Sequence, residues 1–357
     1  MDARERRALA RHAGDVVEEV TTTVEDTSQV VRNRVRRGLG PFGGSMDLID
    51  AHQAGVYTTV RATARVSSRA AGCALQRSTP AGAQSVRTNP AWAPFVAGLG
   101  AAFGDRLDPA LTNEMALWRD GRPISAHDLP ASPALIVFVH GLGATELMWD
   151  PAYLEVGPHA MVRYNTGRPI AENGRALAGL LAQTVDSAQV KRLILVGHSM
   201  GGLVARSAIA QAPDAQWVRA LSDLITLGSP HTGAPLERVA ARLLAFGQRS
   251  RSAAPIVRLG QRRSQGIKDL RFAAMSDGDW SGEVDAELID NTAVIDLPAH
   301  VSHHAVVAFL APVVGDGIVP ASSAAHPGAQ VTVVPGDHLS LLKDPQVRDL
   351  LAQVARG

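Results

Sequence analysis

The chain has 357 residues, with 35 basic against 34 acidic side chains and 46% hydrophobic positions. That balance excludes a long disordered tail and leaves no basic footprint for a nucleic-acid partner. The single cysteine, Cys73, excludes an intrachain disulfide and suits a reducing compartment. The charged start Met1-Asp2-Ala3-Arg4-Glu5-Arg6-Arg7 leads into no apolar run of secretory length, and no window holds the ~18 consecutive apolar residues of a membrane span. The expectation is a cytoplasmic protein, with peripheral contact at a membrane left open.

In chain order, Val17, Val20, Val24, Val31 and Val35 recur at helical spacing and predict an amphipathic helix of about twenty residues. Its valine face lacks Trp or Phe anchors, so it is expected to pack on the protein instead of lying on lipid. The turn Gly38-Leu39-Gly40-Pro41-Phe42-Gly43-Gly44 closes it, and a second helix is predicted from Met46 to Ala74, giving an antiparallel pair. Gly38, Gly40 and Gly43 match Gly-x-Gly-x-x-Gly, but a helix precedes them where a dinucleotide site needs a strand, so no nucleotide cofactor is expected. A third helical piece spans Phe95 to Leu107. Residues 1–128 are therefore read as an N-terminal helical region.

From Ala134 the pattern changes. Leu135 to Val139, Ala160 to Tyr164, Leu193 to Val196, Leu224 to Leu227, Ala305 to Leu310 and Val331 to Val334 each read as a strand buried on both faces. Helical stretches such as Ile170 to Ser187, Met200 to Gln211 and Pro345 to Ala355 separate them. This alternation predicts an α/β domain over residues 129–357, a mostly parallel central sheet with helices on both faces.

The strongest chemical signal is Leu193-Ile194-Leu195-Val196-Gly197-His198-Ser199-Met200-Gly201-Gly202 before a helix. Gly-x-Ser-x-Gly between strand and helix is a nucleophile elbow, a strained turn that presents the serine hydroxyl at a helix N-terminus. A serine needs a base, and the base needs an orienting acid. Hydrolases built on this elbow order the three Ser, acid, His along the chain. Asp316 follows the strand ending at Leu310, and His338 follows the strand ending at Val334, so the expected trio is Ser199, Asp316 and His338. The expected oxyanion donors are the backbone N–H groups of Met200 and of Leu142, in the loop His140-Gly141-Leu142-Gly143. His140 is read as holding that loop and His326 as a solvated loop residue. His303 and His304, adjacent in a strand, point to opposite faces, so no metal site is expected there.

Together these motifs resemble an α/β-hydrolase of the lipase and esterase branch, whose motifs read His-Gly-x-Gly and Gly-His-Ser-Met-Gly-Gly. The stretch Leu227-Gly228-Ser229-Pro230-His231-Thr232-Gly233-Ala234-Pro235 is similar to a loop of bacterial triacylglycerol lipases and of the PGAP1-like group. The resemblance implies carboxylic ester hydrolysis without a cofactor or metal, on a neutral small-molecule or lipid ester, with Ser199, Asp316 and His338 on the triad positions. A thioesterase or amidase would use the same three residues. A membrane- or partner-binding protein with a vestigial triad is the reading from another class. Residues 234–300 fall where this fold grows a helical lid, and Leu243, Leu244, Phe246, Ile256, Val257 and Leu259 are candidates to line an acyl pocket there.

Overall fold

A computed structural model describes residues 1–39, 47–80, 82–234, 263–280, 295–310 and 315–357. The chain divides into two compact units. Among the described residues, the first holds Met1–Asn89, Leu107–Leu111 and Arg263, and the second holds Pro90–Arg106, residues 112–234 and residues from Ser264 to Gly357.

In the first unit, α1 (Ala3–Leu39) and α2 (Asp47–Arg77) lie antiparallel. Helix α1 is longer than the valine stripe predicts, because the Ala- and Arg-rich segment before it is built of strong helix formers. Asp2 and Glu5 start the helix reciprocally: Asp2 Oδ1 accepts from the Glu5 N–H at 2.9 Å, and Glu5 Oε2 accepts from the Asp2 N–H at 2.7 Å. The expectation that the valine face packs on the protein is overturned where it is described. Val17, Val20 and Val24 are 46%, 50% and 51% exposed. The helices instead meet where small residues allow close approach: a β-carbon at Gly14 would sit 2.2 Å from Ser68 Oγ. Arg65 on Glu18 at 2.6 Å and Arg61 on Glu25 flank that seam.

The second unit begins with α3 (Ala93–Phe103) and is built on an eight-stranded sheet of β1 (Ala116–Arg119), β2 (Arg122–Ile124), β3 (Ala134–Val139), β4 (His159–Arg163), β5 (Arg192–His198), β6 (Leu221–Leu227), β7 (Ser302–Phe309) and β8 (Gln330–Pro335). Across the sheet they lie in the order β2-β1-β4-β3-β5-β6-β7-β8. Pairing is parallel from β4 to β8, whereas β1 is antiparallel to both β2 and β4. The predicted boundary at residue 128 is therefore displaced: residues 116–124 form a hairpin that extends this sheet. Its two-residue turn, Asp120 at φ 51° and Gly121 at φ 72°, has the left-handed backbone that tight hairpins require.

The sheet separates two apolar layers. Val137, Val139, Leu193, Leu195 and Leu224 pack with Leu177 and Leu181 of α5 (Ile170–Ser187) and Leu203 and Val204 of α6 (Met200–Gln211). The alternate residues Ile136, Phe138, Ile194, Val196 and Ile225 pack with Trp149, Tyr153 of α4 (Pro151–Leu154), Leu341, and Val347 and Leu351 of the C-terminal helix Pro345–Arg356. Burial on both faces explains the continuous apolar runs of the central strands. Strand β8 departs from that expectation: as the edge strand it buries Val334 but leaves Val331 and Val333 47% and 59% exposed.

Candidate active site

Strand β5 delivers Gly197 and His198 directly to Ser199, and α6 begins at Met200. Ser199 has φ 53° and ψ −123°, backbone that an L residue adopts only at a cost of about 1–3 kcal/mol. Two hydrogen bonds hold it there. The Ser199 N–H donates to the Leu227 carbonyl at 2.8 Å, and the Ser199 carbonyl accepts from the Gly202 N–H at 3.1 Å. A β-carbon at Gly201 would lie 2.2 Å from the Val139 carbonyl, so the elbow sits against β3 only because that position is glycine.

Asp316 and His338 follow neighbouring parallel strands, β7 and β8, and meet at the same sheet end. His338 Nδ1 lies 2.6 Å from Asp316 Oδ2, and the His338 N–H donates to the Asp316 carbonyl at 3.0 Å. Asp316 Oδ1 accepts from the N–H groups of Ile318 at 2.9 Å and Val319 at 2.7 Å. Burial acts to raise the Asp316 pKa, but the hydrogen bonds from His338 and Val319 more than offset it and hold the carboxyl below its ordinary value. An ionised carboxylate only accepts, so Nδ1 carries a proton, and a neutral ring in this tautomer holds its lone pair on Nε2.

The loop after β3 passes beside the elbow. A β-carbon at Gly141 would lie 3.0 Å from the Ser199 β-carbon. Leu142 follows in that loop, half-buried, and Met200 opens the first turn of α6, where N–H groups have no intrahelical acceptor. His140 holds the loop as expected: Nδ1 donates to the Gly141 carbonyl at 2.9 Å, Nε2 accepts from the Tyr164 N–H at 3.3 Å, and the two rings stack at 4.5 Å. Burial drives its pKa to about 4, so it is neutral.

Several contributors had no sequence signal. The elbow's own His198 donates from Nε2 to the His338 carbonyl at 3.0 Å, and the two rings lie 4.7 Å apart. Burial, then the neighbouring His338, pushes its pKa to about 3. Behind the loop, fully buried Arg163 pairs with fully buried Glu146 and stacks 3.5 Å over Trp118. His326, expected in solvent, instead packs against His231 and His303, with ring centroids 5.1 Å apart in both cases. There Arg206 Nη1 approaches His231 Nδ1 at 3.2 Å, and Thr226 Oγ1 bridges His231 Nε2 at 3.1 Å and His303 Nε2 at 3.0 Å. A guanidinium only donates, so His231 accepts on Nδ1 and donates from Nε2 to Thr226, whose hydroxyl then donates to His303. His304 turns the other way, to Asp223 at 3.2 Å. Among the described residues no His, Cys, Asp or Glu group is arranged to hold a metal ion.

The acyl-pocket candidates Leu243, Leu244, Phe246, Ile256, Val257 and Leu259 lie outside the described residues. The described part of the insertion is anchored: Asp269 accepts from the Ile170 N–H at 2.8 Å and from Trp280 Nε1 at 3.0 Å, and the Gly266 N–H donates to the Gly167 carbonyl at 3.1 Å.

A mostly parallel sheet of this order, with a strand-serine-helix elbow at its centre and an Asp-His pair after its last two strands, defines an α/β-hydrolase fold. Residues 176–308 match the family described as PGAP1-like alpha/beta domain. No curated protein matches the chain. Among solved structures, the chain is similar to the Bacillus licheniformis lipase BlEst2 in its propeptide form, at 21% identity and TM-score 0.46, covering 62% of this chain and 51% of that one. It thus spans about half the length of that protein. The mature form of the same lipase gives 21% identity and TM-score 0.43, covering 67% of this chain and 99% of that one. A lipase-esterase related protein from Clostridium acetobutylicum gives 12% identity and TM-score 0.39, covering 68% and 98%. No described helix is long and apolar enough to cross a membrane.

Proposed function

We propose that this protein is a serine hydrolase that cleaves carboxylic esters through an acyl-enzyme on Ser199. His338 Nε2 takes the Ser199 proton, Ser199 Oγ attacks the acyl carbonyl, and the N–H groups of Leu142 and Met200 receive the oxyanion. The alcohol leaves with the proton from His338, and water, activated by the same imidazole, then releases the acid. The observation that carries this reading is the 2.6 Å Asp316-His338 hydrogen bond, which fixes the tautomer a general base requires beside a strained serine elbow. That pair also favours an enzyme over a vestigial site, where nothing would retain an oriented base. The chemistry needs no metal or organic cofactor, and the near-neutral chain fits an uncharged ester better than an ionic substrate.

The test of the bond class is a comparison of one acyl group carried as a p-nitrophenyl ester, a thioester and an anilide, repeated over chain lengths from two to sixteen carbons. The ester should give the highest kcat/KM, and the optimum length reports pocket depth. A thioester or anilide turned over tenfold faster than the ester would overturn the ester assignment while leaving the nucleophile untouched.

A further inference from the structure

The first unit contains a polar cavity of about 630 Å³, lined by Arg4, Arg7 and Arg11 of α1, Gln76 of α2, Arg87 and Asp108. The three α1 arginines stand at i, i+3 and i+7, so they share one helix face, where like charges at this spacing repel. The sequence thus places four guanidinium groups around one concavity. Only part of that charge is matched. Arg11 Nη2 engages Asp108 at 2.5 Å, and Arg87 Nε lies 3.8 Å from the buried Glu5 carboxylate.

Two further carboxylates are held by hydrogen bonds of their own. Asp2, also at the cavity, accepts from the N–H groups of Arg4 and Glu5, each at 2.9 Å, and so caps its own helix. Glu5 turns away from solvent, fully buried, and accepts from the Val86 N–H at 3.0 Å and from the Ser85 hydroxyl. Arg7 reaches only the neutral Gln76 Oε1, at 3.4 Å, and no described carboxylate pairs with Arg4. Arg4 and Arg7 therefore face the polar cavity without a carboxylate partner among the described residues, and four guanidinium groups against the carboxylates of Asp2, Glu5 and Asp108 leave it net positive.

We infer that this cavity is a binding site for a phosphate monoester dianion. The charge is of the right sign: a net positive lining, with two guanidinium groups that no described carboxylate engages, meets the ~2 negative charges a phosphate monoester carries near neutral pH. The geometry also matches, since guanidinium forks receive phosphate oxygens in pairs, and an amide such as Gln76 supplies a neutral donor. The cavity is far larger than a bare ion, so the phosphate arrives attached to a larger body, either a small phosphorylated metabolite or an anionic lipid headgroup. The site lies wholly within the first unit and its existence does not depend on the esterase reading.

The test uses the full-length protein in low-salt buffer. Isothermal titration with glycerol 3-phosphate and with glucose 6-phosphate measures the soluble source, and co-sedimentation with phosphatidylcholine vesicles containing phosphatidic acid measures the lipid source. The variants are Arg4→Gln with Arg7→Gln, and a charge-matched control, Arg69→Gln with Arg119→Gln, at exposed arginines outside the cavity lining. Wild type should bind at least one source, the cavity pair should weaken that binding at least tenfold, and the control should stay within twofold. Soluble ligands bound without vesicles assign a metabolite; vesicles bound without soluble ligands assign a lipid headgroup. Equal weakening by both variant pairs, or no binding to any probe, overturns the site. Thermal melts of all three proteins establish that the variants are folded.

Discussion

His198 Nε2 donates a hydrogen bond to the carbonyl oxygen of His338 at 3.0 Å, so the residue preceding the serine elbow grips the backbone of the general base. The carbonyl accepts, which fixes the proton of the neutral ring on Nε2. His198 is 2% exposed and neutral, a strut between β5 and the loop after β8. His198→Leu removes the donor and should lower kcat by about 10- to 100-fold, the scale of a misplaced catalytic group. His198→Gln sets an amide N–H near the Nε2 position and should recover most of that loss, with KM little changed in either. Equal activity of the Leu and Gln variants would show that the contact does not position the base.

Asp316→Asn should lower kcat by about 10⁴, because an amide facing His338 Nδ1 favours the wrong tautomer. The Asn carbonyl can still receive the Ile318 and Val319 N–H groups, so circular dichroism melts should change little. A loss below tenfold would mean that another acid orients His338.

Gly228 presses the loop after β6 against the same pair. It has φ 59°, and a β-carbon there would lie 3.0 Å from Asp316 Oδ2 and 3.1 Å from His338 Nδ1. Gly228→Ala should therefore destabilise the fold by about 1–2 kcal/mol through its left-handed backbone and also cut kcat at least tenfold. Urea titration and kinetics on one preparation separate the two effects. Unchanged kcat in a folded variant would show that the pair tolerates displacement.

Much of this arrangement was legible because its signals are local. Gly197 to Gly201 identify the elbow within one strand-turn-helix, and Asp316 and His338 pair because they leave adjacent parallel strands at the same end. The hairpin of β1 and β2 was missed, since two strands of four and three residues carry too little alternation to stand out beside long helices. Its Asp120-Gly121 turn was the available clue. The contacts of His198 and His326 had no such clue, because they join residues 140 and 95 positions apart, from His198 to His338 and from His231 to His326, whose partners only the folded sheet selects. The valine stripe of α1 shows the converse limit. Periodicity identified one face of the helix, but not whether anything covers it.

Acid should weaken the fold through buried imidazoles. His140, His198 and His303 have pKa values near 4, 3 and 3, each depressed chiefly by burial from about 6.5 in the unfolded chain. Their folded values lie below the unfolded one, so their contribution is present above about pH 6.5 and is lost as pH falls towards 4. The slope should approach about 1.4 kcal/mol per pH unit for each histidine. Urea unfolding at pH 7.5, 6.5, 5.5 and 4.5 measures it, and His198→Gln should reduce it by about 1.4 kcal/mol per pH unit. Stability unchanged down to pH 4.5 would contradict the burial of these rings.

The central claim is that Ser199 is the nucleophile. It is tested most directly by treating wild type and Ser199→Ala with a fluorophosphonate probe, sequencing the labelled peptide, and measuring p-nitrophenyl ester turnover on the same samples. Wild type should label at Ser199, and the variant should lose the label together with about 10⁴- to 10⁶-fold of its turnover. Turnover that persists in Ser199→Ala, or a label on any other residue, would contradict the account.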